Sequence, residues 1–109
     1  MSQIGITMGD PKGVGAELIA KAWKYIPSGI KGDFRIYGDR TILEAATKMV
    51  GGEIDPKQMV ITSSIAGPVG DISEPDASRI AMLALDAAIT DIKKNIISNA
   101  IICCSISIQ

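Results

Sequence analysis

Histidine is absent from this 109-residue sequence. That removes the one side chain whose ordinary pKa lies near neutrality. A Ser-His-Asp triad, a Cys-His pair and an imidazole metal ligand are all excluded. Proton transfer near neutral pH would fall to Lys, Asp, Glu, Cys, Tyr or water. Aromatic residues are scarce at 4%, so a core must be assembled from Ile, Val, Leu, Ala and Met. Neither charge dominates: 11 basic and 12 acidic residues leave a net charge of −1. A nucleic-acid interface needs a basic face or stripe, so no nucleic-acid partner is expected. The longest apolar run, Ile80 to Leu85, is far short of a membrane span, so no membrane partner is expected. Met1-Ser2-Gln3-Ile4-Gly5 has neither a basic stretch nor a long apolar one. No signal peptide is expected there, and the expected location is cytoplasmic. The only cysteines, Cys103 and Cys104, are adjacent. On a strand they would point to opposite faces, which disfavours a disulfide between them and favours free buried thiols.

What remains is the composition of a folded chain, 47% hydrophobic and 21% charged. Ile4 to Met8 reads as a buried strand running into a tight turn, Gly9 to Gly15. A helix follows from Ala16, with Leu18, Ile19, Ala22, Trp23 and Ile26 at helical spacing, and Pro27-Ser28-Gly29 stops it. Phe34–Tyr37 is a second strand. Thr41 to Val50 is a helix with Ile42, Leu43, Ala46 and Met49 or Val50 inward, ended by Gly51-Gly52 as a C-cap. Gln58–Thr62 is a third strand, and Ile65 to Ile72 is loop. Ser73-Glu74-Pro75-Asp76 has the form of an N-cap serine, an early proline and an acidic first turn. The helix it opens has a wide apolar arc, Ile80, Leu83, Ala84, Ala87, Ala88 and Ile92, and is expected to be well buried. It ends near Lys93-Lys94. Ala100 to Ser107 is the last predicted strand. The methionines read as core gap fillers. Alternation of strands and helices predicts an α/β fold, a three-layer αβα arrangement on a mostly parallel sheet.

The turn Gly9 to Gly15 is the one segment with a chemical look. Loops that follow the carboxyl end of a strand are where α/β sheets bind ligands. Glycines let the backbone approach an anion, and a helix N-terminus offers free N–H groups. Gly9, Asp10, Lys12, Gly13 and Gly15 are therefore the candidate binding residues, with a conformationally demanding backbone expected at Gly13 or Gly15. The order Gly-x-x-x-Gly-x-Gly is not the dinucleotide fingerprint, and no Gly-Lys-Ser/Thr is present. A purely structural tight turn is the competing reading. Asp10, Asp39 and Asp71 sit at separate turns, where Asp serves local hydrogen bonding, and no metal site is expected among them. Arg40 reads as surface.

Taken whole, Ile4-Gly5-Ile6-Thr7-Met8-Gly9-Asp10-Pro11-Lys12-Gly13-Val14-Gly15-Ala16-Glu17 resembles the opening of the 4-hydroxythreonine-4-phosphate dehydrogenase family of pyridoxal-phosphate biosynthesis. That opening is T-M-G-D-P-x-G-[IV]-G-P-E after a strand, and only the proline before the glutamate differs, here Ala16. Tyr37-Gly38-Asp39, the helix from Ser73 to Lys94 and Ala100-Ile101-Ile102 are similar to later elements. Family members are roughly three times as long and have two domains. They resemble the isocitrate and isopropylmalate dehydrogenases in fold. The resemblance implies oxidation of a small phosphorylated hydroxy-amino acid by NAD, with a divalent metal held by histidines from both subunits of a homodimer. It makes Gly9, Asp10, Lys12, Gly13 and Gly15 part of a cofactor or substrate cleft, and assigns no catalytic and no metal-binding residue within this chain.

Two departures matter. Where the family has T-A-P-I-x-K, this chain reads Cys103-Cys104-Ser105-Ile106-Ser107-Ile108, without the lysine. The metal-binding histidines are missing altogether. The expectation is the N-terminal part of such a dehydrogenase, one partial α/β domain over residues 1–109, truncated and inactive alone. The uncharged, β-prone terminal segment and unpaired strand edges predict self-association. The alternatives are a small phosphate- or nucleotide-binding module and a non-catalytic remnant.

Overall fold

The computed structural model describes residues 3–9, 15–66 and 69–102. The strands are β1 (Gln3–Thr7), β2 (Phe34–Asp39), β3 (Met59–Ser63) and β4 (Ile97–Ile102). The helices are α1 (Gly15–Tyr25), α2 (Ser28–Lys31), α3 (Arg40–Val50) and α4 (Glu74–Lys93). Short 3-10 turns occupy Pro56–Gln58 and Val69–Asp71. The strands form one sheet in the order β3-β2-β1-β4, and every pairing is parallel. The expected α/β class is the observed one.

Alternation along the strands separates two cores. Ile36 packs with Ile19, Ala20 and Trp23 of α1 and with Ile42, Leu43 and Ala46 of α3. Its neighbour Tyr37 points the other way and packs with Ala84 and Ala88 of α4 and with Ile97. α1 and α3 thus cover one face and α4 the other, which gives the three layers. The first turns of α4, Ala77 and Ile80, join the α1/α3 cluster together with Ile72.

The caps behave as their chemistry requires. The Ser73 hydroxyl accepts from the Asp76 N–H at 3.3 Å. Gly51 takes φ 72°, and the Gly51 and Gly52 N–H groups close the end of α3 onto Lys48 and Thr47. This left-handed position is why glycine stands there.

Four expectations need correction. β4 begins at Ile97 and not at Ala100, because Asn95, with φ 60°, turns the chain sharply out of α4. Residues 103–107 of the expected strand, with both cysteines, lie outside the described residues. The inner stripe of α1 is Ala16, Ile19, Ala20 and Trp23, whereas Leu18 is 49% exposed and Ala22 is also exposed. α4 is not well buried: only Ala77, Ile80, Ala84 and Ala88 are enclosed, and Leu83 and Ile92 are exposed. Of the methionines, Met8 fills the core, but Met49 and Met82 are exposed. In addition, the expected stop at Pro27-Ser28-Gly29 contains a single extra helical turn, α2, and β2 runs on to Asp39.

Candidate functional site

The sheet order fixes where a ligand site belongs. From β1 the chain steps outward to β2 and then β3, and it returns across the sheet to place β4 on the other side of β1. The order therefore reverses between β1 and β4. In open α/β sheets the crevice beyond the carboxyl ends of the strands at such a reversal is the ligand site. The segment from Gly9 to Gly15 leaves the carboxyl end of β1 at that reversal and leads into α1.

Of the candidate residues, Gly9 and Gly15 are described, and both are buried. Gly9 takes φ 68°, a conformation that L side chains rarely adopt. Gly15 is the first residue of α1. N–H groups in a first helical turn have no intrahelical partner and favour an anion. Asp10, Lys12 and Gly13 lie outside the described residues. Arg40 is exposed, as expected of a surface residue.

The floor of this pole is built by close packing. The Met8 N–H donates to the Tyr37 carbonyl at 3.2 Å. The Asp39 N–H donates to the Met8 sulfur at 3.3 Å. Met8 lies so near β2 that a Cβ on Gly38 would stand 2.5 Å from Sδ and 2.8 Å from Cγ. Gly38 is thus the residue that admits the methionine.

Asp39 is fully buried, and its carboxylate is committed. It accepts from the Ile42 N–H at 3.1 Å, the Ser63 hydroxyl at 2.6 Å and the Ile65 N–H at 3.0 Å. It caps α3 and ties the ends of β2 and β3 together. Thr41 adds a hydroxyl bond to the Ile65 carbonyl at 2.8 Å. Asp71 is exposed, and among the described residues no three His, Cys, Asp or Glu side chains converge as a metal site would require. The described residues do not fit a divalent metal.

Sequence reasoning overlooked Thr7. It is 1% exposed, and its hydroxyl has no hydrogen-bond partner among the described residues. It pairs with Tyr37 on one side and Ile102 on the other, next to the reversal. Two residues earlier, a Cβ on Gly5 would meet Ile97 and Tyr37, so this row of β1 faces the α4 layer. The available signal was a lone hydroxyl closing an otherwise apolar strand just before a glycine turn.

The opposite pole carries different features. A groove of about 1040 Å³ opens at the amino ends of the strands, between Gln3, Lys31, Glu44, Asp55, Lys57 and Met59. Its charges are mixed, and it lies across the sheet from Gly9 and Gly15. Nearby, the Tyr37 hydroxyl donates to Asp91 Oδ2 at 2.6 Å, and Arg35 Nη2 stands 3.8 Å from the same oxygen. Burial, and then the bond to Asp91, push the Tyr37 pKa up to about 12. These groups anchor α4 to β2.

No protein-family model matches this chain. Several curated proteins do, each over part of its length, and all bear the name 4-hydroxythreonine-4-phosphate dehydrogenase. The protein from Aquifex aeolicus (strain VF5) is 40% identical over 57 residues, which is 52% of this chain and 17% of that protein. The protein from Thermosynechococcus vestitus is 29% identical over 82 residues, 72% of this chain and 23% of that protein. The protein from Zymomonas mobilis is 27% identical over 105 residues, 86% of this chain and 31% of that protein. The matches thus take in between 17% and 31% of these relatives' own length.

Proposed function

We propose that this chain is an amino-terminal segment of the 4-hydroxythreonine-4-phosphate dehydrogenase type, one partial α/β domain of a larger two-domain unit. In this reading it supplies the phosphate- or cofactor-facing loop of an NAD-dependent dehydrogenase but no catalytic group. The observation that carries the proposal is that Gly9, after the end of β1, and Gly15, at the start of α1, stand at the reversal of strand order. The matches to proteins of that name, partial as they are, support it. Gly9, Asp10, Lys12, Gly13 and Gly15 would meet the anionic part of a small phosphorylated substrate or of NAD. The metal-binding histidines that the resemblance implies cannot come from these 109 residues, since they contain none. Alone, therefore, the chain does not turn over.

The test has two arms. In the first, amide shifts are followed on an isotope-labelled chain titrated with inorganic phosphate, NAD and 4-phosphohydroxythreonine. Shifts that saturate at Gly9 and Gly15 are expected. Shifts confined to Lys31 and Lys57, in the groove at the other pole, would overturn the site. In the second, the chain is incubated with substrate, NAD and divalent metal, and no NADH is expected. NADH production by this chain would overturn its assignment as non-catalytic.

A further inference from the structure

The two helical layers differ in charge. α1 and α3 together carry Lys21, Lys24, Arg40 and Lys48 against Glu17 and Glu44. α4 carries four carboxylates against Arg79 and Lys93. The α1/α3 layer is thus cationic in a chain whose net charge is −1. Between α1 and α3 lies a groove of about 470 Å³, lined by Glu17, Lys21, Lys24, Tyr25, Met49 and Val50. Tyr25 on the α1 wall is 85% exposed, and Met49 on the α3 wall is 68% exposed. Lys24 Nζ donates to the Val50 carbonyl at 3.1 Å, which ties the last turn of α3 to α1. An ammonium has three donors, so two remain for another acceptor. Lys21 and Lys48 are exposed, and neither side chain has a hydrogen bond or ion pair within the chain among the described residues.

We propose that this groove docks an amphipathic helix of a partner protein, an apolar stripe bordered by Asp or Glu. The backbone of the groove selects a helix. The flanks of α1 and α3 offer no unpaired N–H or C=O groups. An extended peptide laid there would leave its own backbone without partners, whereas a helix satisfies its own. Glu17, Lys21, Lys24 and Tyr25 span ~12 Å along α1, about two turns of a docked helix. Tyr25 and Met49, on opposite walls, offer an apolar seat for a side chain of the stripe.

Charge selects the border of that stripe. Lys21 and Lys24 follow Glu17 along the groove, and Lys48 precedes Met49 in the last turn of α3. Carboxylates therefore belong on the half of the docked helix beside Lys21 and Lys24, and an unbroken acidic run is disfavoured by Glu17. Unlike charges placed in this way set orientation and reject cationic partners. A flat lipid surface would leave the groove between Tyr25 and Met49 unfilled. This inference does not depend on the proposed dehydrogenase relation.

The probe is a short capped helical peptide, with leucines three and four residues apart and glutamates bordering them in one half. It is titrated into the isotope-labelled whole chain, and saturable amide shifts are expected at Lys21, Tyr25, Met49 and Val50. The same peptide with Gln for each Glu should bind ~10-fold more weakly. Lys21→Glu should weaken the Glu peptide by a similar factor and favour a peptide with Lys in place of Glu. Far-ultraviolet dichroism should stay native, because Lys21 is exposed. Met49→Ala should weaken all three peptides alike. The absence of saturable shifts with the Glu peptide would overturn the proposal, as would shifts confined to α4. Equal binding of the Glu and Gln peptides would overturn the acidic partner. Vesicles of phosphatidylglycerol and phosphatidylcholine should not retain the chain. Retention that Lys21→Glu abolishes, without peptide binding, would assign the surface to lipid and overturn the peptide reading.

Discussion

Tyr37 shows how one side chain can set a pH limit on stability. Its phenol is buried under α4 and donates to Asp91. Burial raises the pKa from 10.0 to about 12, so the folded state favours the protonated form. The stabilisation is fully present below pH 10, the pKa of the unfolded chain, and is lost as pH rises toward about 12. Urea melts between these limits should therefore show stability falling in the wild type. The difference from Tyr37→Phe should shrink over the same interval. Below pH 9 that substitution should cost ~1.5–3 kcal/mol, the worth of a bond to a charged acceptor. Thr7 makes the opposite case. Its buried hydroxyl has no partner among the described residues, and such a group costs ~1–3 kcal/mol. Thr7→Val keeps the branched shape and should raise stability by ~1 kcal/mol in denaturant melts. A loss of stability would show that the hydroxyl has a role in the fold.

At the scale of elements, the join between β2 and α3 carries the most consequence. Asp39 closes β2, caps α3 and holds the end of β3 through Ser63 and Ile65. Asp39→Ala should cost at least ~2 kcal/mol, more than the ~1 kcal/mol of a simple cap, because one buried and two partly buried donors lose their acceptor. Gly38, one residue earlier, permits the approach of β1's final turn. Gly38→Ala should destabilise by ~1–3 kcal/mol, the range for overpacking, since Met8 is 0% exposed. Met8→Ala in the same chain opens that space. The double variant should thus fall short of the sum of the two single costs, which a double-mutant cycle by chemical denaturation would detect.

For the whole molecule, the arrangement leaves edges and apolar side chains open. β3 and β4 each have one paired neighbour among the described residues, and α4 leaves Met82, Ile89 and Ile92 exposed. The two poles of the sheet also divide the labour. The carboxyl pole holds Gly9 and Gly15 beside the strand reversal. The amino pole holds a wide groove of mixed charge and the Arg35–Asp91–Tyr37 anchor.

Local chemistry determined much of this. The four strands, the three long helices, the Ser73 cap and the Gly51 stop were all readable, because each rests on a period or on a capping group within a few residues. The Gly9–Gly15 turn stood out for the same reason. Tertiary structure alone decided which side of each helix was inside. The spacing of α1 predicts Leu18 and Ala22 inward with Ile19 and Trp23, but the helix is turned so that Ala16 and Ala20 share the buried side with Ile19 and Trp23 instead. The wide apolar arc of α4 predicts an enclosed helix, but only Ala77, Ile80, Ala84 and Ala88 are enclosed by the sheet and its neighbours. Asp39 looked like an ordinary turn residue, and its three donors come from α3, from β3 and from the chain just after β3. Thr7 gained meaning only when strand order placed it beside a reversal. Periodicity marks which residues are apolar together, but the facing element selects which of them lose water.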